Sequence, residues 1–186
     1  MSDAPLIVGV SGLRGVVGES LTPEVAVRFA GAFGGWLDEY CQGAPVRVVV
    51  GFDGRAGGEI YHCLASATLA ASGAAVYDIG RCTTPGIATA VDAVGADGGV
   101  MITASHNPQE WNGIKLLLET ESQERAIGAC APPKHFAEQV IARFEESRAV
   151  WMPREELGTI AVIDDAGESH AEAVVRAVVG DGDHPF

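Results

Sequence analysis

The stretch Gly98-Gly99-Val100-Met101-Ile102-Thr103-Ala104-Ser105-His106-Asn107-Pro108 decides the fold. A short apolar run entered through glycines and closed by an Asn-Pro pair reads as a buried strand followed by a turn. Ser105 then stands just past the C-terminal end of the strand, where open α/β sheets keep their sites. A hydroxyl beside an imidazole makes the turn a candidate for nucleophilic or phosphoryl chemistry. On these residues alone, a polar turn that merely caps a strand is an equal reading.

Toward the N-terminus, strand-like and helix-like segments alternate. Leu6 to Val10 reads as a strand, and Thr22-Pro23-Glu24 opens a helix to about Tyr40, with Thr as N-cap and Pro at the first helical position. Val46 to Val50 is a β-branched run suited to a strand buried on both faces. Ile60 to Ala71 is an alanine-rich helix, Ala75 to Ile79 a strand, and Thr84-Pro85 starts a short helix ending near Gly95. Beyond Ser105, Ile114 to Leu118 reads as a strand and Glu119 to Arg125 as a solvated turn. Lys134 to Ser147 is a helix with Phe136, Val140, Ile141 and Phe144 on one face. Trp151 to Gly158 is a connector, and Thr159 to Ile163 and Ala171 to Val179 form a further strand and helix. The βαβ order predicts an α/β fold, a three-layer α/β/α domain with a largely parallel mixed sheet. Residues 1–158 are expected to form this domain, and 159–186 the start of a truncated second domain or a C-terminal tail.

Composition narrows the function. With 186 residues, 47% of them hydrophobic, the chain can bury a real core. A formal net charge of -13 and the lack of a basic stripe exclude nucleic acid as the expected partner. A phosphorylated small molecule must be attracted by a few placed cations against an overall repulsive field. The cysteines Cys41, Cys63, Cys82 and Cys130 lack metal-ligand spacing and suggest a reducing compartment. The N-terminus has no signal-peptide pattern, and no apolar run approaches membrane-spanning length, so a cytoplasmic protein without membrane partners is expected.

A hydrolase elbow needs Gly-x-Ser-x-Gly, but Thr103 and Asn107 hold the glycine positions, and no nucleotide P-loop motif occurs. Gly9-Val10-Ser11-Gly12-Leu13-Arg14-Gly15-Val16-Val17-Gly18 reads by itself as a flexible loop. In Val50-Gly51-Phe52-Asp53-Gly54-Arg55, Asp53 and Arg55 either pair to hold a loop or act directly.

The longer string from Thr103 through Gln109-Glu110-Trp111-Asn112-Gly113-Ile114-Lys115-Leu116 resembles the serine loop and Asn-Gly-Ile-Lys segment of the α-D-phosphohexomutase superfamily. That superfamily comprises phosphoglucomutases, phosphomannomutases and phosphoglucosamine mutases. Ser11-Gly12-Leu13-Arg14-Gly15 is similar to its N-terminal signature, and Phe52-Asp53-Gly54-Arg55 to its Arg-Asp-x-Arg loop, with Phe52 in place of the first arginine. The resemblance implies an N-terminal domain I whose Ser105 carries a phosphoryl group between hexose 1-phosphate and hexose 6-phosphate through a bisphosphorylated sugar. It leans toward phosphoglucosamine or phosphomannose mutases. Arg14 and Lys115 are implied as stabilising cations and His106 as an acid/base helper. A phosphoserine brings about -1.5 to -2 charges, which explains the need for cations, and a guanidinium grips phosphate bidentately.

The resemblance further implies magnesium bound through the phosphate on Ser105 and through aspartates of a second domain, and a glucose 1,6-bisphosphate-type activator. The tail Gly180-Asp181-Gly182-Asp183-His184 imitates part of the family's aspartate loop and reads as a terminal turn. Sugar phosphate is the expected substrate, and a complementary chain supplying the remaining domains is the implied protein partner. The alternative is a non-catalytic sugar-phosphate-binding fragment.

Overall fold

A computed structural model describes residues 4–119, 129–164, 170–172 and 174–176. The strands are β1 (Ile7–Gly9), β2 (Gly12–Val16), β3 (Arg47–Phe52), β4 (Ala75–Arg81), β5 (Gly98–Ile102), β6 (Trp111–Leu118) and β7 (Ile160–Val162). The helices are α1 (Pro23–Tyr40), α2 (Gly58–Ala71), α3 (Thr84–Val94) and α4 (Lys134–Glu145), and Arg154–Glu156 forms a single 3-10 turn. All the strands join one sheet in the order β1-β2-β6-β5-β3-β4-β7.

Local chemistry explains the helix boundaries. The Thr22 hydroxyl accepts from the Val25 N–H at the head of α1, with Pro23 in the first turn. Thr83 caps α3 by accepting from the Gly86 N–H, and the helix stops at Gly95 in the left-handed conformation. Helices α1 and α2 meet closely, because Gly34 of α1 faces the side chain of Ser72 and Gly31 faces Thr68. The main core lies between the sheet and α1, α2 and α4, around Phe29, Phe33, Leu69 and Leu116. A smaller core under α3, on the opposite face, gathers Val49, Ile87, Val91, Met101 and Leu117.

The sheet is mixed, as expected, and divides into two halves. Strands β3, β4, β5 and β7 run parallel, joined by βαβ crossovers where helices intervene. The pairs β1–β2, β2–β6 and β5–β6 are antiparallel. The reversal occurs at the serine loop itself, which links β5 to its antiparallel neighbour β6 as a hairpin connection.

Two sequence expectations change. The Gly9–Gly18 segment is no flexible loop: Gly12–Val16 is a strand in the sheet, paired on both sides. Its glycines reflect crowding, because a Cβ on Gly12 would run into the Ile114 carbonyl of β6, and one on Gly113 into the Leu13 carbonyl of β2. The buried face of α4 holds Ala137, Val140, Arg143 and Phe144. Arg143 is tolerated there because it pairs with Glu39 of α1. That contact holds the Glu39 carboxyl below its usual range. The Glu119–Arg125 turn falls, apart from Glu119, outside the described residues, and so does the tail Gly180–His184. Residues 170–172 and 174–176 are helical, all but His170 within the expected Ala171–Val179 segment.

Strand β7 differs from the rest. It lies beyond the connector on the edge of the sheet, and all its residues are exposed, with Val162 68% and Ile160 50% accessible.

The close approach of β2 to β6 is testable by adding one methyl group. Gly113→Ala should lower the unfolding free energy by about 2–4 kcal/mol, because the clash is with backbone that cannot rotate away. Gly54→Ala, where an added Cβ has open space, should stay within about 0.5 kcal/mol of the parent protein in the same denaturant titration.

Candidate active site

Ser105 projects from the β5–β6 connection at the C-terminal end of β5, and it is exposed. Its backbone is left-handed, with φ 56°, a conformation that costs a residue carrying a Cβ roughly 1–2 kcal/mol. Such a conformation persists only where neighbouring bonds hold it. Here the Ser105 N–H donates to the Thr103 hydroxyl oxygen at 2.9 Å, and the Ser105 carbonyl accepts from Arg55 Nη2 at 2.6 Å.

Arg55 organises the whole turn. Its Nη1 also donates to the carbonyls of Pro108 at 2.8 Å and Trp111 at 3.1 Å, and its Nη2 to that of Asn107 at 2.7 Å. Its Nε lies 3.5 Å from Asp53 Oδ2, which also accepts the Thr103 hydroxyl at 2.6 Å. Asp53 Oδ1 accepts the Arg55 N–H at 2.9 Å, so the Asp53–Arg55 loop is closed on itself. Sequence reasoning left the pair undecided between structure and direct action. Its visible contacts are those of a loop-holding pair. The sequence marks Thr103 only as a residue that breaks the hydrolase elbow, although its place two residues before the serine suits a turn-bonding hydroxyl.

The other expected residues gather to different degrees. Arg14 reaches the serine loop from β2, where it lies opposite Gly113, and its Nη1 donates to Asn107 Oδ1 at 3.3 Å. His106 is exposed, with Nδ1 3.5 Å from Ser105 Oγ, at the outer limit of a hydrogen bond. Lys115 is half-buried on β6, two residues beyond Gly113 and therefore on the same face as Arg14. It lines a cavity of about 540 Å³ together with Ser11, Thr84, Thr89, Asp92 and Leu117. Its ammonium makes no hydrogen bond to the serine loop among the described residues. Ser105, Arg14 and His106 therefore form one cluster, with Lys115 set back along the same sheet face.

The surroundings limit the available chemistry. The half-buried thiol of Cys82 has its pKa pushed up to about 11, chiefly by burial, so it stays protonated near neutrality and is no nucleophile. Among the described residues, no group of three or more His, Cys, Asp or Glu side chains could hold a metal ion. Asp53, whose carboxylate bonds the start of the serine loop, is already engaged by Thr103 and Arg55. The described residues therefore do not make a magnesium site by themselves, and only the oxygens of a phosphorylated Ser105 would offer ligands. No described helix is long and apolar enough to cross a membrane.

With the geometry in place, similarity to known proteins is specific. The family profile described as phosphoglucomutase/phosphomannomutase, alpha/beta/alpha domain I, matches residues 5–148. A phosphoglucomutase/phosphomannomutase of Thermococcus kodakarensis is 35% identical over 172 residues, which is 92% of this chain and 36% of that protein. A probable phosphoglucosamine mutase of Pyrococcus furiosus is 40% identical over 168 residues, 89% of this chain and 34% of its relative. The crystal structure of a putative phosphomannomutase from Thermus thermophilus superposes with a TM-score of 0.68 at 31% identity, covering 89% of this chain and 34% of that one. The chain spans about a third of the length of the relatives it matches.

The strain at Ser105 has a measurable consequence. Ser105→Ala keeps the Cβ in the left-handed region, whereas Ser105→Gly removes it. The glycine variant should be the more stable of the two by up to about 1 kcal/mol, or about 2–4 °C in thermal midpoint, although both lose the hydroxyl.

Proposed function

Because the chain belongs to the phosphoglucomutase/phosphomannomutase family, as its α/β/α domain I, we propose that it is the phosphoryl-carrying part of a phosphohexomutase. The observation that carries this reading is the exposed Ser105 hydroxyl, fixed in a left-handed turn beside the Arg14 guanidinium. A serine phosphate is a stable ester, so it persists between turnovers, and its transfer depends on positioning and charge stabilisation.

In the proposed reaction, a hydroxyl of a hexose monophosphate attacks the phosphorus on Ser105 Oγ. The bond from Oγ to phosphorus breaks, the sugar oxygen gains the phosphoryl group, and the hydroxyl proton passes to Oγ. The bisphosphorylated sugar turns over and returns its other phosphoryl group to Oγ by the reverse step. The active serine is thus regenerated, and hexose 1-phosphate and hexose 6-phosphate interconvert. His106, with Nδ1 3.5 Å from Oγ, is the proposed proton carrier, since an imidazole can accept a proton at one ring nitrogen and donate from the other. Arg14 binds the phosphoryl oxygens as they pass, and Lys115 neutralises a phosphate further along the same face.

A magnesium ion would be held by the serine phosphate, with its remaining ligands from outside the described residues, and would offset charge on the phosphoryl oxygens. The substrate reading leans to glucosamine or mannose phosphates, in keeping with the names of several relatives. A bisphosphate of the glucose 1,6-bisphosphate type would supply the first phosphoryl group, and the remaining two thirds of the family's length would come from further polypeptide. A sugar-phosphate-binding unit without turnover is the second reading, favoured by that span of only a third.

Intact-mass analysis after incubation with glucose 1,6-bisphosphate should show one added phosphoryl group, absent in Ser105→Ala. A parent chain that stays unmodified sinks the carrier reading. Arg14→Gln and Lys115→Gln should each slow the modification by about 100-fold or more, the usual loss when one donor to a developing anion is removed.

A further inference from the structure

Arg55 looks at first like another phosphate ligand, being an arginine beside the proposed phosphoserine. The geometry points to a different role, and we propose that Asp53, Arg55 and Thr103 form a preassembled clamp in which Arg55 is a positioning residue that never binds phosphate. The proposal rests on the carrier reading of Ser105 for its function, although its geometry stands without it.

The argument turns on donor capacity. A guanidinium has five N–H donors. In Arg55 both Nη1 hydrogens are directed to carbonyls, those of Pro108 and Trp111, and both Nη2 hydrogens to those of Ser105 and Asn107. The Nε lies 3.5 Å from Asp53 Oδ2, within an ion pair. Both terminal nitrogens are thus spent on carbonyls, and the side chain is only 9% exposed. Arg14 is the opposite case: among the described residues its fork makes one hydrogen bond, to Asn107 Oδ1. The two arginines beside the serine therefore divide the work, one gripping peptide carbonyls and the other left for the anion.

Asp53 completes the device. It balances the Arg55 charge, so the clamp adds little net field at the phosphoserine, and it accepts the Thr103 O–H. That bond orients the Thr103 oxygen to accept the Ser105 N–H. Both backbone groups of Ser105 are thus fixed by the clamp, its N–H through Thr103 and its carbonyl through Arg55. The strained turn is held before any phosphate arrives, so no reorganisation is needed during transfer, and small misplacements of a reacting group are costly.

Four variants test this: Arg55→Lys, Thr103→Val, Thr103→Ser and Arg14→Gln. Each is assayed for the rate constant of Ser105 phosphorylation at saturating glucose 1,6-bisphosphate, for the half-saturating concentration, and for hydrogen exchange at the Ser105, Asn107 and Trp111 amides. Arg55→Lys, whose ammonium cannot reach four carbonyls, and Thr103→Val should lower the rate constant by about ten- to a hundredfold and speed exchange. Their half-saturating concentration should stay at the parent value. Thr103→Ser should restore both rate and protection, and Arg14→Gln should lower the rate constant and also raise the half-saturating concentration, with exchange unchanged.

Arg55→Lys raising the half-saturating concentration at an unchanged rate constant would make Arg55 a phosphate ligand and overturn the proposal. Parent-like rate and exchange in Thr103→Val would overturn it equally. Thr103→Val is nearly isosteric, so it also serves if Arg55→Lys does not fold. Should the parent chain accept no phosphate, the carrier reading has failed, and exchange alone decides the clamp. Faster exchange in Thr103→Val then supports it, and unchanged exchange refutes it.

Discussion

Strand β6 lies between β2 and β5 closely enough that Gly12 and Gly113 have no room for a Cβ, each facing a backbone carbonyl across the ladder. Everything at the site depends on this contact. It sets Arg14 opposite Gly113, which places the guanidinium within reach of Asn107 in the serine loop. It also closes the β5–β6 hairpin, so that the turn holding Ser105 springs from two paired strands rather than from a free strand end. A site built on paired strands keeps its geometry better than one carried by a long loop.

Charge is distributed sparingly in this molecule. At a formal -13 the whole protein repels anions, so binding of a phosphate relies on local cations in the right place. Arg55 adds a positive charge near Ser105 but is matched by Asp53 and enclosed by carbonyls. Arg14 is the cation at the loop that keeps its donors, and Lys115 follows along the same face. Arg81, set over the Phe52 ring at 5.8 Å and paired with Glu59 at 3.5 Å, is a further cation on the rim of the parallel half.

The helices and the parallel strands were legible in the sequence because their signals are local. Thr22-Pro23 and Thr83 mark helix starts through their own hydroxyls, and Val46 to Val50 states its double burial in its composition. Ser105 was legible because a polar turn follows an apolar run. Strand β2 was not, since the reason for its glycines is the nearness of a strand about a hundred residues away in the chain. The antiparallel direction of β6 was hidden for a similar reason, because the sequence of the linking turn does not show which way the next strand runs. The partners of Arg55 were the least legible. They are carbonyls, which every residue carries, so no residue type announces them. Arg143 was hidden by the opposite effect, a charged residue at a buried position made tolerable by Glu39 on another helix.

Strand β7 has a bearing on how the protein behaves in solution. Its inner edge bonds to β4 through Thr159 and Ile163, which turns the peptide groups of Ile160 and Val162 to the outer edge of the sheet. A strand whose outer edge has no partner among the described residues is a template for strand addition by another chain. The restraint against it is electrostatic, since like-charged copies repel. That restraint fades as the pH falls toward the isoelectric point near 4.6, so mild acid weakens colloidal protection well before the folded core need be disturbed. The same acidity that keeps the molecule apart at neutral pH therefore sets the lower pH limit for concentrating it.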